Sequence, residues 1–223
     1  TPAHLAALAQ ALRGVETITP PRVSRRGICL TNRSQMVRIA VGEPLTIIGE
    51  RINPTGKKAL TQELQAGLFD VAMQLADAQV DAGAAVLDVN VGAPLVDETE
   101  LLPELVQRLV GRLPMPLSID SSNATAIANA LPYCPGSFLV NSISGEAGRM
   151  EQLGPLCRDF GAPFILLPLQ GAHLPEKAAE RIRTVESLIE KAEAMGISRR
   201  LMMVDILALA VSSSADSALQ CLE

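Results

Sequence analysis

Six short apolar runs, each followed by an amphipathic stretch, govern the chain from about residue 46 onward. The runs cover 46–49, 85–91, 117–119, 138–140, 164–169 and 201–204, each close behind a Gly, Pro or polar breaker. Short runs dominated by apolar residues suit strands buried on both faces. Helical periodicities lie between them. The clearest joins Leu64, Leu68, Val71, Ala72 and Leu75 and closes at Gly83; others cover about 100–113, 123–131, 149–160 and 176–195. Such alternation builds a parallel sheet with crossover helices.

Whether that sheet is open or closed is decided by where the polar residues fall. Glu50, Asp88 with Asn90, Asp120, Asn141 and Asp205 each sit at or near the C-terminal end of a different run. In a barrel those ends converge on one mouth, the place where barrel active sites are found. An open sheet spreads them along a crevice, and no GxGxxG follows the first run to mark a dinucleotide site. The expected fold is therefore an α/β (β/α)8 TIM barrel over residues 45–223. It is truncated after about six strands, with two more expected beyond Glu223.

Residues 1–44 stand outside the alternation. Thr1-Pro2 reads as an N-cap and first helical position, opening an apolar helix over residues 1–14. Residues 15–44 read as a linker, with Pro20, Pro21 and Arg22 extended after Thr19, and then a hairpin. Its arms are 28–31 and 35–41 around Asn32-Arg33-Ser34, and it is expected to plug the bottom of the barrel. Ser212-Ser213-Ser214 reads as a helix N-cap region. The chain opens on Thr1 rather than Met, and 216–223 run into a helical pattern without a stop signal. A piece of a longer polypeptide is the expectation.

Composition narrows the function. A net charge of −5 offers no attraction to nucleic acid or to an anionic membrane face. With no Trp, one Tyr and four Phe, a site of stacked aromatic rings is not expected. No apolar stretch is long enough to span a bilayer. Cys29, Cys134, Cys157 and Cys221 are scattered, with no CxxC, which fits a reducing cytoplasm and neither a zinc ribbon nor a disulfide scaffold. His4 and His173 lack any partner at metal-ligand spacing, so no metal is expected in this chain. Pro54-Thr55-Gly56-Lys57-Lys58 lacks the leading glycine and the Ser or Thr after Lys that a phosphate loop needs.

Four strings carry the chemistry: Gly49-Glu50-Arg51-Ile52-Asn53-Pro54-Thr55-Gly56, Leu87-Asp88-Val89-Asn90-Val91-Gly92, Ser118-Ile119-Asp120-Ser121-Ser122 and Val140-Asn141-Ser142. Asp carboxylates and an Asn amide at one mouth suit a nitrogen heterocycle with adjacent N–H donors. A carboxylate accepts two such donors side by side, and an amide both donates and accepts. Each residue also has a plainer reading. Asp120 can help cap the next helix, Asn141 can satisfy loop backbone, Asp205 can sit in an ion pair, and Glu50 can pair with Arg51.

In order and spacing these strings resemble the pterin-binding family over about residues 45–214. That family holds methionine synthase folate modules, corrinoid protein methyltransferases and dihydropteroate synthases. The Gly-Glu-Arg-Ile-Asn opening is similar to the methyltransferase branch, and most of all to the methyltetrahydrofolate barrel of cobalamin-dependent methionine synthases. The resemblance implies that Asp120, Asn141 and Asp205 bind the pterin, with Asp88, Asn90, Asn53 and Glu50 lining the same pocket. It implies 5-methyltetrahydrofolate as substrate and cobalamin on another module as methyl acceptor. Where the family has Asp-Pro this chain has Asp205-Ile206, so the loop there differs. The family's catalytic Asn lies on a later strand, beyond Glu223. Thr1-Pro2-Ala3-His4-Leu5 resembles the start of the last helix of a homocysteine methyltransferase barrel, whose zinc-binding string falls upstream. Other implied alternatives are a corrinoid methyltransferase of another pathway, a dihydropteroate synthase, and a folate-binding module without catalysis.

Overall fold

The computed structural model describes residues 1–15, 27–171, 173–210, 212 and 216–223. The extended reading at Pro20, Pro21 and Arg22 and the Ser213 and Ser214 part of the N-cap reading lie outside the described residues. The described elements are α1 (Pro2–Ala11), β1 (Ile28–Thr31), β2 (Met36–Ile39), β3 (Ile48–Ile52), α2 (Lys58–Gln65), α3 (Asp70–Asp81), β4 (Val86–Val89), α4 (Glu98–Arg112) and β5 (Leu117–Asp120). They continue with α5 (Ala124–Ala130), β6 (Leu139–Ile143), α6 (Arg149–Phe160), β7 (Phe164–Leu166), α7 (Ala178–Ala194), β8 (Met202–Val204) and α8 (Ser217–Leu222).

β3 to β8 form one six-stranded sheet in chain order, and every neighbouring pair is parallel. This is the expected truncated barrel, with β3 and β8 at the two ends of the strand order. Alternation along each strand sorts the side chains into two cores. One face sends Leu87, Val89, Leu117, Ile119, Val140, Phe164 and Leu166 against the helices. The other sends Val86, Leu139 and Ile165 inward to meet Ile28 and Leu30 of the hairpin. β1 and β2 are antiparallel, and Asn32 in their turn donates to the carbonyls of Leu113 (3.0 Å) and Met115 (2.9 Å), just before β5. The N-terminal end of the barrel thus has an apolar floor, and the interior becomes polar only toward the strands' C-terminal ends.

The single helix read over 64–83 is two helices. Gly67 adopts a left-handed φ of 69°, where a side chain would be strained, and the chain turns there. Glu63 then caps the second helix, its carboxylate accepting from Val71 N (2.7 and 2.8 Å) and Ala72 N (3.2 Å). The apolar period passes through this break without interruption, so it did not reveal the break.

Candidate pterin site

The mouth is built by register. β4 sets Asp88 beside Ser118 of β5, and β5 sets Asp120 beside Asn141 of β6. All four side chains face the barrel interior, because their neighbours Leu87, Val89, Ile119 and Val140 pack outward. Asn141 Nδ2 donates to Asp88 Oδ1 at 3.1 Å, and Asn90 Nδ2 to Asp120 Oδ2 at 2.8 Å. Asn90 is itself oriented by Gly92 N, which donates to its Oδ1 at 2.7 Å. Two carboxylates and two amides therefore interlock across three adjacent strands.

The pair is electrostatically strained. Asp88 is only 2 % exposed, and burial, the Asp120 carboxylate and Glu50 together push its carboxyl up to about 7, against the pull of its hydrogen bonds. Asp120 is also raised, chiefly by burial, with the Asn90 amide and Asp88 pulling it back. Burial and mutual repulsion thus favour retention of a proton by the pair, and Asp88 is the member raised furthest. Asp88 Oδ2 and Ser118 Oγ are buried without a hydrogen-bond partner, polar capacity aimed at the barrel interior.

The next helix does not need Asp120 as its cap. Asn123 Oδ1 accepts from Thr125 N (3.0 Å) and Ala126 N (3.3 Å) at the start of α5. Ser121 Oγ accepts from Asn123 N (2.9 Å) and donates to Glu98 Oε2 (2.5 Å).

The remaining expected residues stand nearer solvent. Asn53 is half-buried, and its Oδ1 accepts from Thr55 N at 2.9 Å. Glu50 is exposed, and no ion pair joins it to Arg51 among the described residues; it reaches the carboxyl pair through its field. Asp205 is exposed, and its Oδ1 accepts from Leu207 N at 2.8 Å, a local turn at the end of β8. The structure brings together Asp88, Asn90, Asp120 and Asn141, and it leaves Asp205 outside their hydrogen-bonded group. No cluster of His, Cys, Asp or Glu suited to a metal ion occurs among the described residues.

Two residues that the sequence reading passed over hold this mouth in place. Gln79, buried in α3, accepts from Arg51 N through Oε1 at 2.6 Å, where β3 departs from regular pairing with β4. Gly49 admits that side chain, because a Cβ there would lie 2.6 Å from Gln79 Oε1. Gly49→Ala is expected to displace Gln79 and orphan the Arg51 amide, costing about 1–3 kcal/mol of stability. Denaturant unfolding checks this, and an unchanged midpoint would refute it. Arg149, the first residue of α6, is the other and is taken up below. Gln79 falls on the buried face of a periodic helix and Arg149 at a helix start, so neither departs from an ordinary helical pattern.

An apolar cleft of about 240 Å³ between α7, α8 and the end of β8 lies apart from this cluster. Its buried Arg181 is already engaged with the carbonyls of Pro175 (2.8 Å) and Ile206 (3.0 Å).

The model of the family described as pterin binding enzyme matches residues 49–223. The chain belongs to that family. As a pterin-binding family member it is 29 % identical over 178 residues to a methylcorrinoid:tetrahydrofolate methyltransferase of Eubacterium limosum, covering 78 % of this chain. The chain spans 64 % of that relative's length. It also superposes on a Yersinia pestis dihydropteroate synthase bound to a sulfonamide drug. There the TM-score is 0.60 with 25 % identity, over 80 % of this chain and 67 % of that one. A Xanthomonas albilineans dihydropteroate synthase gives a TM-score of 0.60 at 22 % identity, over 88 % and 70 % of the two chains, and speaks to the fold alone.

Proposed function

We propose that this chain binds 5-methyltetrahydrofolate by its pterin ring and presents the N5-methyl group for transfer to cob(I)alamin carried on another module. The enzyme we infer is a cobalamin-dependent methionine synthase working in a reducing cytoplasm. The observation that carries the reading is the Asp88, Asn90, Asp120 and Asn141 cluster at one barrel mouth. The Asp120 carboxylate accepts the paired N–H donors of the pyrimidine edge, and Asn141 offers the complementary amide. Protonated Asp88 keeps a donor in reach of a ring acceptor. Asp205, Asn53 and Glu50 complete the pocket wall once the loops close on the ring.

Methyl transfer breaks a carbon–nitrogen bond, and the amine left behind must gain a proton or a hydrogen bond. Cobalamin, when bound on its own module, supplies the nucleophile. This chain's residues hold the ring, fix the direction of the N5-methyl bond and exclude competing water. The catalytic Asn implied by the family belongs to a strand after Glu223. A homocysteine-binding domain with its zinc is proposed to precede residues 1–14. In support, α1 buries none of its residues and exposes Leu5 and Leu8, and Leu12 just after it is exposed too.

The alternatives are a methyltransferase serving another corrinoid protein, a dihydropteroate synthase, and a binding module without catalysis. The synthases among the solved structures favour the second, but the Gly49–Asn53 string and the methyltransferase relative favour methyl transfer. Calorimetric titration of the full-length protein with 5-methyltetrahydrofolate is expected to show binding that depends on the pterin end. Binding of p-aminobenzoylglutamate as tight as that of the whole folate would overturn the reading.

A further inference from the structure

We propose that Arg149 is a positioning residue for the pterin grip, locking the backbone directly after Asp120 and Asn141 and setting a cation behind the mouth's carboxylates. The inference rests on the reading of the mouth as a pterin site. Arg149 is 8 % exposed at the start of α6. Its Nη2 donates to Ser121 O at 2.6 Å, its Nη1 to Ser122 O at 2.7 Å and its Nε to Ser142 O at 3.0 Å. Ser121 directly follows Asp120, and Ser142 directly follows Asn141. One planar guanidinium thus ties two loops whose preceding residues are the two pterin ligands at register-paired positions.

The chemistry of the group explains why it must be arginine. Three carbonyls, each met by a different nitrogen, suit the fork of a guanidinium, whereas an ammonium is a point charge without that geometry. Three backbone acceptors with no adjacent carboxylate bond are also a weak reason to bury a cation for stability alone, since desolvation disfavours its charged form. Glu146 and Asp120 offset that burial through space. On the mouth side stand Asp120, Asp88, Glu50 and Glu98, all acidic. Arg149 is therefore the cation set among these acids, and its removal leaves Asp120 harder to ionise.

The test uses the full-length protein with Arg149→Lys, which keeps the charge and loses the fork, and Arg149→Met, which loses both. Titration with 5-methyltetrahydrofolate across the neutral range is combined with hydrogen exchange at the amides of residues 121–123 and 142–144. Arg149→Lys is expected to weaken binding by about tenfold or more, with faster exchange at those two loops and native protection elsewhere. Arg149→Met is expected to weaken it further and to move the midpoint of its pH dependence upward. Wild-type affinity in Arg149→Lys would overturn the positioning role, and an unmoved midpoint in Arg149→Met would overturn the electrostatic one. Loss of affinity accompanied by loss of protection throughout the barrel in both variants would show a structural role alone. If the wild-type protein binds no folate, the functional reading fails, and loop exchange in Arg149→Lys decides the clamp by itself.

Discussion

Replacing Asp120 with alanine is expected to weaken 5-methyltetrahydrofolate binding by about 1–3 kcal/mol or more, because ring donors buried against it lose their acceptor. Asp120 is half-buried and fixed by Asn90 at 2.8 Å, so a bound ring meets a pre-oriented carboxylate. The substitution also removes the charge that helps hold the Asp88 proton, so Asp88 ionises at lower pH. The variant therefore loses the acceptor and holds the neighbouring donor less firmly. Lys57 provides the contrast. Its Nζ donates to Asn53 O at 3.0 Å near the surface, and Lys57→Ala is expected to cost about 0–1 kcal/mol of binding. Equal losses in the two variants, measured by the same titration, would mean the pocket has been placed wrongly.

Much of the architecture is legible in the chain because two-faced burial leaves a strong mark. The runs at 85–91, 117–119 and 164–169 are mostly apolar, and each overlaps a strand of the sheet. A polar residue at the end of such a run stands out, which is how Asp88, Asn90, Asp120 and Asn141 are found. What the period of two cannot supply is side-chain direction once a strand ends. Asp205 and Asn53 both follow a strand, and both fold their side-chain oxygens back on nearby amides, at Leu207 and Thr55. Their place in the grip is part of the proposal and awaits the bound ring.

Other features were hidden for different reasons. Glu63 and Gly67 break one apparent helix into two, although the apolar stripe runs straight across them. Arg149 and Gln79 look like ordinary helix residues in sequence, and only the tertiary fold turns their donors and acceptors onto strand ends. The lesson is positional. First contacts with a ligand come from strand termini that sequence marks well, whereas the groups that aim them come from helices packed behind.

Asp88→Asn is expected to stabilise the barrel in mildly alkaline solution and to change it little near pH 4. The folded-state carboxyl is raised from 3.8 to about 7, so the folded state favours the neutral form. Stability from that neutral group is fully present below the unfolded value of 3.8 and is lost as pH rises through about 7. A difference of that size corresponds to at most ~4 kcal/mol between the two protonation states. Asn keeps the shape, still accepts from Asn141 Nδ2 through its oxygen, and never ionises. Hydrogen exchange at the amides of Leu87, Val89 and Ile119, compared between variant and wild type at each pH, cancels the intrinsic rates and reads the barrel's own stability. A variant less stable than wild type at about pH 8, or a difference without a pH slope, would show that Asp88 is not held neutral by the fold. The expected gain identifies the residue as one the fold keeps at a cost. Its buried, unpartnered Oδ2 lies near the carboxylate proposed to grip the ring, where a retained proton is of use to a heterocycle with both donors and acceptors on one edge.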